Sequence, residues 1–176
     1  MFVSLDGVME DPHKWSFPYW NDEIGKFKND ELFASDALLL GRVTYRSFAE
    51  AWPSRTDETG YADRINSMPK FVVSKTLKKA EWNNSKLIKE NVAKEVSKLK
   101  QQSGRDILVH GSGALVKTLM QHDLVDQYHL LVFPIVLGKG IRLFTDGSNV
   151  KLKLVETKMF SSGVVLLLYQ PDKKEM

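Results

Sequence analysis

The feature that narrows the fold most is a set of short apolar runs, several of them unbroken rather than alternating. They are Phe2–Leu5, Ala37–Leu40, Phe71–Ser74, Lys86–Ile88, Ile107–Val109, Tyr128–Val136, Leu152–Met159 and Val164–Tyr169. A strand with water on one side alternates apolar and polar residues; one covered on both faces stays apolar. Between the runs the apolar period lengthens to that of a helix. Asn21 suits an N-cap beside Trp20, Ile24 and Phe27, which share one helical face, and Tyr45, Phe48, Ala49 and Trp52 form a second stripe. Val92, Val96 and Leu99 form a third, stopped at Gly104, and Leu115, Val116, Leu119 and Met120 a fourth, beginning after Gly113. Strands alternating with helices predict a largely parallel sheet with right-handed crossovers. The last two strands, parted by Phe160-Ser161-Ser162-Gly163, predict an antiparallel hairpin. The expected fold is α/β: a three-layer α/β/α sandwich on a mixed sheet, mostly parallel with an antiparallel C-terminal hairpin. The stretch from about Pro53 to Pro69 reads as a loop of mixed polarity.

At 176 residues and 43% hydrophobic content, one domain spanning 1–176 is expected, able to bury a core without metals or disulfides. The absence of cysteine excludes a disulfide framework, a thiolate nucleophile and cysteine-ligated zinc. Twenty-five basic residues against twenty-two acidic ones are dispersed along the chain, which argues against nucleic acid as a partner. No apolar run approaches membrane-spanning length, and Met1–Val8 has no basic lead, so neither a membrane segment nor a signal peptide is predicted and the expected location is cytoplasmic. The four histidines, His13, His110, His122 and His129, lack the spacing of a metal site. No Gly-x-Ser-x-Gly elbow points to a hydrolase.

Two places share the order apolar strand, glycine, helix. In such sheets ligands settle at the carboxyl ends of strands, where loop amides and helix N-termini face an anion. The first is Leu38-Leu39-Leu40-Gly41-Arg42-Val43-Thr44. Gly41 admits a phosphate close to the backbone, Arg42 supplies a planar set of charged donors, and Thr44 a hydroxyl in the first turn. The second is Ile107-Leu108-Val109-His110-Gly111-Ser112-Gly113-Ala114. Gly111 and Gly113 begin a dinucleotide fingerprint whose third glycine is replaced by Val116; read alone, the motif is equally a tight turn and helix start. Phe71-Val72-Val73-Ser74-Lys75-Thr76 adds a strand ending in a hydroxyl and a cation, suited to an adenosine 2′-phosphate or to a plain polar loop.

In this order the three motifs resemble the dihydrofolate reductase superfamily, and more closely its branch akin to the C-terminal reductase domain of bacterial riboflavin biosynthesis. The resemblance also takes in Ser4-Leu5-Asp6-Gly7, the run Phe133 to Gly140 and Phe160-Ser161-Ser162-Gly163, and so covers nearly the whole chain. It implies NADPH as cofactor. Gly41, Arg42 and Thr44 would hold the pyrophosphate and 2′-phosphate side, Ser74 and Lys75 the adenosine phosphate, and Gly111, Ser112, Gly113 and Ala114 the pyrophosphate from the opposite loop. Val3 to Val8 would border the nicotinamide. Only three residues precede Ser4, which leaves the first strand short or its start outside this sequence. The branch also implies a homodimer.

Hydride transfer to a C=N or C=O group needs a proton as well. The resemblance puts the substrate carboxylate at Glu23, with Asp22 one register away. Asp6, at the end of the first strand, is the rival: a buried carboxylate demands partners, and it serves either the chemistry or the turn around Gly7. Trp15, Phe17, Tyr19 and Trp20 suit either a wall for a planar heterocycle or a core. Leu130 stands where folate enzymes carry a threonine, which departs from a true folate reductase. The expected function is an NADPH-dependent reductase of a small heterocycle, pterin-like or ribosylaminopyrimidine-like. The competing reading is a dinucleotide-binding module without catalysis.

Overall fold

The computed structural model describes residues 1–145 and 147–172. Its elements in chain order are β1 (Phe2–Ser4), α1 (Asp22–Phe33), β2 (Ser35–Gly41), α2 (Arg42–Ala51), α3 (Tyr61–Ser67), β3 (Lys70–Val73), β4 (Ser85–Ile88), α4 (Val92–Lys100), β5 (Asp106–Gly111), α5 (Gly113–Gln121), β6 (Tyr128–Phe133), β7 (Leu152–Met159) and β8 (Val165–Pro171). The fold is α/β, with parallel strands and an antiparallel C-terminal hairpin as the sequence predicts. Its contacts group into two compact units, Lys26–Thr118 and Met1–Gly25 with the chain from Leu119 onward.

The first unit holds a parallel sheet in the order β4-β3-β2-β5. Parallel neighbours need crossovers, which the helices supply, and β2 is buried at every residue but Asp36. The core joins Leu38 and Leu40 of β2 to Val72, Leu32, Tyr45, Ile65, Met68 and Trp82. Truncating a leucine in such a position costs about 2–5 kcal/mol.

Helix α3 corrects the expectation of a loop from Pro53 to Pro69. The Asp57 carboxylate accepts the N–H of Tyr61 (3.0 Å) and of Ala62 (2.6 Å), satisfying the first turn from outside the helix, and Gly60 enters at φ +75°. Ala62 and Ile65 then seal the core. Strand β6 also ends earlier than predicted, at Phe133, because Pro134 has no N–H to continue the ladder.

The second unit holds a mixed sheet in the order β1-β6-β8-β7. Strands β1 and β6 are parallel; β8 runs antiparallel to both β6 and β7. The β7–β8 turn is closed by Gly163 N–H to Phe160 O (2.9 Å), with Gly163 at φ +84°, where a side chain would be strained. Phe133 anchors the core against the rings of Phe2, Trp15 and Tyr19. Among the described residues no helix is long and apolar enough to cross a membrane.

Candidate functional site

In the parallel-sheet unit, register brings three strand ends level. Gly41 pairs with Val73, and Leu40 with Gly111, so the chain leaves β2, β3 and β5 along one edge. The Gly41 and Ser112 turns touch backbone to backbone. A Cβ on Gly41 would fall inside van der Waals contact of Ser112 Oγ and 2.8 Å from the Ser112 nitrogen. Glycine is required there for close approach rather than for an unusual dihedral, since its φ is −75°.

The helix starts beyond both turns lack acidic residues, and α2 begins at Arg42 with no side-chain cap. By contrast α1 opens with Asp22 and Glu23, α3 carries Asp63 and α4 carries Glu95. The free N–H groups and positive dipole end of α2 are therefore left to a ligand or to solvent. Arg42 is exposed and has no ion-pair partner among the described residues. Thr44 is half-buried in the same turn. Ser74 is buried, and its Oγ accepts the N–H of Thr76 (3.2 Å) and Leu77 (3.0 Å), with Thr76 Oγ1 a hydroxyl partner at 3.5 Å; Lys75 beside it is exposed. Ser112 O takes the N–H of Val116 (3.0 Å), starting α5 at Gly113, with Ala114 exposed in its first turn. The structure thus gathers the predicted phosphate-side residues along one edge of this unit.

His110 points elsewhere. Its ring lies 5.4 Å from that of Phe48 in α2, and its buried Nε2 finds no hydrogen-bond partner. Burial first, and the Lys28 cation second, push its pKa down to about 3, so the ring stays neutral. Lys28 and Glu31 form a buried ion pair that sequence alone does not flag, because charges spaced i, i+3 read as a solvated face.

The mixed-sheet unit carries both candidate carboxylates. Asp6 accepts Ser4 Oγ–H (2.6 Å), Leu137 N–H (3.1 Å) and Gly138 N–H (2.9 Å), while Arg142 Nε donates to its carbonyl (3.0 Å). These bonds, the Ser4 hydroxyl foremost, lower its pKa to about 2. Ser4 Oγ in turn accepts Val8 N–H (2.9 Å), so one short network fixes the β1 exit and the loop after β6.

Glu23 is exposed, and its Oε2 accepts Ser161 Oγ–H (2.6 Å), Ser161 N–H (2.7 Å) and Asn21 Nδ2–H (3.2 Å). The Ser161 hydroxyl and then its N–H hold the carboxyl below the ordinary range. Oε1 receives no donor, and the Asp22 carboxylate makes no hydrogen bond among the described residues. Asn21 Oδ1 caps α1 through Ile24 N–H (3.0 Å), as its sequence position predicts. Ser161 is the partner that sequence reading missed, hidden in a motif that signals only a turn.

Pairing of Val132 with Val165 brings the β7–β8 turn to the end of the sheet where β1 and β6 terminate. There Leu5, Phe17 and Val136 are 65%, 67% and 65% exposed. Tyr19 Oη reaches Pro134 O (3.4 Å), whereas Trp15 is core and Leu130 is buried in β6. No group of His, Asp and Glu among the described residues is arranged to hold a metal.

Comparison with known proteins agrees with this geometry. The model of the RibD C-terminal domain family matches residues 1–166. The uncharacterized protein YyaP of Bacillus subtilis (strain 168) is 35% identical over 172 residues, covering 95% of this chain and 90% of YyaP. YwjB of the same organism is 30% identical over 168 residues, covering 93% and 91%. Among solved structures, a Shewanella sp. PV-4 protein provisionally assigned to riboflavin biosynthesis superposes with a TM-score of 0.76 at 22% identity, covering 98% of this chain and 97% of its own. A pyrimidine reductase-like protein from Corynebacterium diphtheriae gives 0.67 at 13%, covering 98% and 90%. The Thermotoga maritima diaminohydroxyphosphoribosylaminopyrimidine deaminase/5-amino-6-(5-phosphoribosylamino)uracil reductase gives 0.67 at 17%, with 97% of this chain matching 54% of that one. The structural likenesses establish the fold, and the family match with the two Bacillus relatives establishes more: the chain belongs to the RibD C-terminal domain family.

Proposed function

We propose that this protein, acting as one domain, is an NADPH-dependent reductase of a small pyrimidine-like or pterin-like heterocycle. The observation that carries the proposal is the contact of the Gly41 and Ser112 turns beside an uncapped, acid-free helix start. Packed N–H donors with no protein acceptor and a cation with no carboxylate fit a pyrophosphate. Gly41, Arg42 and Thr44 would hold one side of it and Gly111 to Ala114 the other. Ser74 and Lys75 would take the adenosine phosphate, and Val3 to Val8 would border the nicotinamide. The bound cofactor would supply the hydride.

The chain's own residues would orient the acceptor. Glu23, anionic and fixed through Oε2, leaves Oε1 to accept an N–H of a ring. Asp6, held ionised by its donors, would act by fixing the 134–143 loop rather than by giving up a proton. With both carboxylates ionised at neutral pH, the proton would come from water. The homodimer expected from the resemblance would use the outer edge of β7, where Met159 is 78% exposed.

The test is titration with NADPH and NADH, following nicotinamide fluorescence, in the wild type and Arg42→Ala. NADPH should bind more tightly than NADH, and the substitution should weaken NADPH by about tenfold or more, the scale of a charge-assisted contact to phosphate. Binding of neither dinucleotide would overturn the proposal. One observation favours a binding module without turnover: neither carboxylate is a poised acid. NADPH binding with no oxidation across a panel of pterins and aminopyrimidines would select that reading.

A further inference from the structure

We infer that Arg46 is a second determinant of preference for the dinucleotide that carries an extra phosphate on its adenosine. The inference rests on the proposed NADPH binding and extends it to a residue outside the phosphate turns. Most of the arginines are spent. Arg64 and Arg105 engage Asp36, Arg142 engages Asp6, and Arg55 stacks over Trp52 at 5.0 Å. Arg42 and Arg46 are exposed, and among the described residues neither has a carboxylate or ring partner.

Their placement opposes the stability of the helix that bears them. Cations near a helix N-terminus meet the positive end of the dipole, and like charges at i, i+4 repel. Helix α2 accepts both penalties: its first turn has no acidic residue, and Glu50, four residues beyond Arg46, makes no ion pair with it among the described residues. A local conflict of this kind marks a place where a ligand supplies the missing charge. The spacing aligns both guanidinium groups on one strip of α2, about 6 Å apart along its axis.

Arg46 faces the segment after β3. Gly41 and Val73 are paired, so Arg42 and Ser74 leave the sheet at one level. Beyond Ser74 the chain runs beside α2 and is tied to it by Trp82 N–H donating to Tyr45 Oη (3.0 Å). Between them lies an open groove of about 420 Å³, floored by Tyr45 and Trp82, with Arg46 and Lys79 on its rim. Glu50 and Glu81 line it as well; Glu81 pairs with Lys79 at 3.4 Å, whereas Arg46 has no ion-pair partner among the described residues. An adenosine phosphate held by Arg42 and the Ser74-Lys75 turn would lie one helical turn from Arg46. A phosphate there is a dianion near neutral pH, whereas NADH presents a neutral hydroxyl, so the field of Arg46 favours the phosphorylated cofactor over the other.

The experiment titrates wild type, Arg46→Ala and Arg46→Lys with NADPH and with NADH, at 0.05 M and 0.5 M salt. Arg46→Ala should bind NADPH about three- to tenfold more weakly at low salt with NADH unchanged, and the deficit should shrink at high salt, as screening of an exposed charge demands. Arg46→Lys should keep most of the preference. An unaltered NADPH/NADH ratio in Arg46→Ala, or equal loss of both cofactors, overturns this inference alone. A wild type that binds neither overturns the proposed function and this inference with it.

Discussion

The two units solve opposite electrostatic problems. In Lys26–Thr118 the strand ends present donors without acceptors: touching glycine turns, an uncapped α2 and two unpaired arginines. In the other unit the groups presented are acceptors, Asp6 after β1 and Glu23 in the first turn of α1, each gripped by a serine hydroxyl and by backbone N–H. The first arrangement suits a ligand rich in phosphate oxygens, the second a ring that offers N–H. On the proposed reading the two sheets carry different recognition chemistry, and each can be broken separately.

The largest effect is expected at the glycine turn. Gly41→Ala forces a methyl group against the Ser112 nitrogen at 2.8 Å, so one turn must move. Overpacking of this kind costs about 1–3 kcal/mol of stability. NADPH affinity should fall by about a hundredfold or vanish, since donors displaced by an ångström no longer converge. Adding Ser112→Gly removes the hydroxyl clash but not the nitrogen, so the double variant should recover stability in part and binding hardly at all. Full binding by Gly41→Ala, measured by the same fluorescence titration, would mean that the contact of the turns is irrelevant to the cofactor.

Next come the carboxylates, where the comparison sharpens within one unit. Glu23→Gln keeps the shape and the Asn21 cap of α1 while removing the charge. It should lower kcat/KM by about ten- to a hundredfold, the range for a hydrogen bond to a charged group, with the thermal midpoint nearly unchanged. Asp6→Asn should do the reverse, lowering the thermal midpoint because the amide keeps only one of the two acceptor oxygens shared out among two loop amides and the Ser4 hydroxyl, and sets an NH2 against a donor where the other stood. Its pH signature comes from a folded pKa of about 2 against an ordinary 3.8. The unfolded state binds the proton first on acidification, so the stabilisation is complete above pH 3.8 and is lost as pH falls through about 2. The gap between wild type and Asp6→Asn should close over that window in acid unfolding. A gap that persists at about pH 2 would assign the effect to packing instead of charge.

How much of this was legible in the sequence depends on whether the signal is local. Continuous runs such as Leu38-Leu39-Leu40 show their two-sided burial directly, and a glycine after them announces the turn. Helix α3 escaped because it is short, its apolar residues fill only one face, and its cap comes from Asp57 outside the helix. The grip on Glu23 comes from Ser161, 138 residues away, and no periodicity encodes that. Lys28 and Glu31 read as surface residues yet are buried, because a pair can enter the interior where a lone charge cannot. Asp6 was legible as a residue needing partners, but the identity of those partners, Leu137 and Gly138, was not.

Lys70 is the counterpart of Asp6 in the parallel-sheet unit, and it tests the comparison from the alkaline side with the smallest expected consequence for function. Its side chain is fully buried with no carboxylate beside it. The ammonium donates to the carbonyls of Asn66 (2.8 Å), Met68 (2.8 Å) and Asn83 (3.0 Å) and lies 4.3 Å from the Trp82 ring centroid. Burial lowers its pKa from 10.5 to about 8. Between those values the unfolded state holds the proton that the folded state has released, so stability should rise with pH from about 8 to 10.5. Below about pH 8 the folded protein bears the cost of a buried cation, eased by the three carbonyls and the ring. Lys70→Met should be less stable by about 1–3 kcal/mol at about pH 7, where carbonyls lose their donor, and should show no such rise. Urea unfolding of both proteins from about pH 7 to pH 10.5 measures the difference. If the two curves run parallel, the ammonium is better solvated than its burial implies, and the contrast between an acid-sensitive and an alkali-sensitive unit fails.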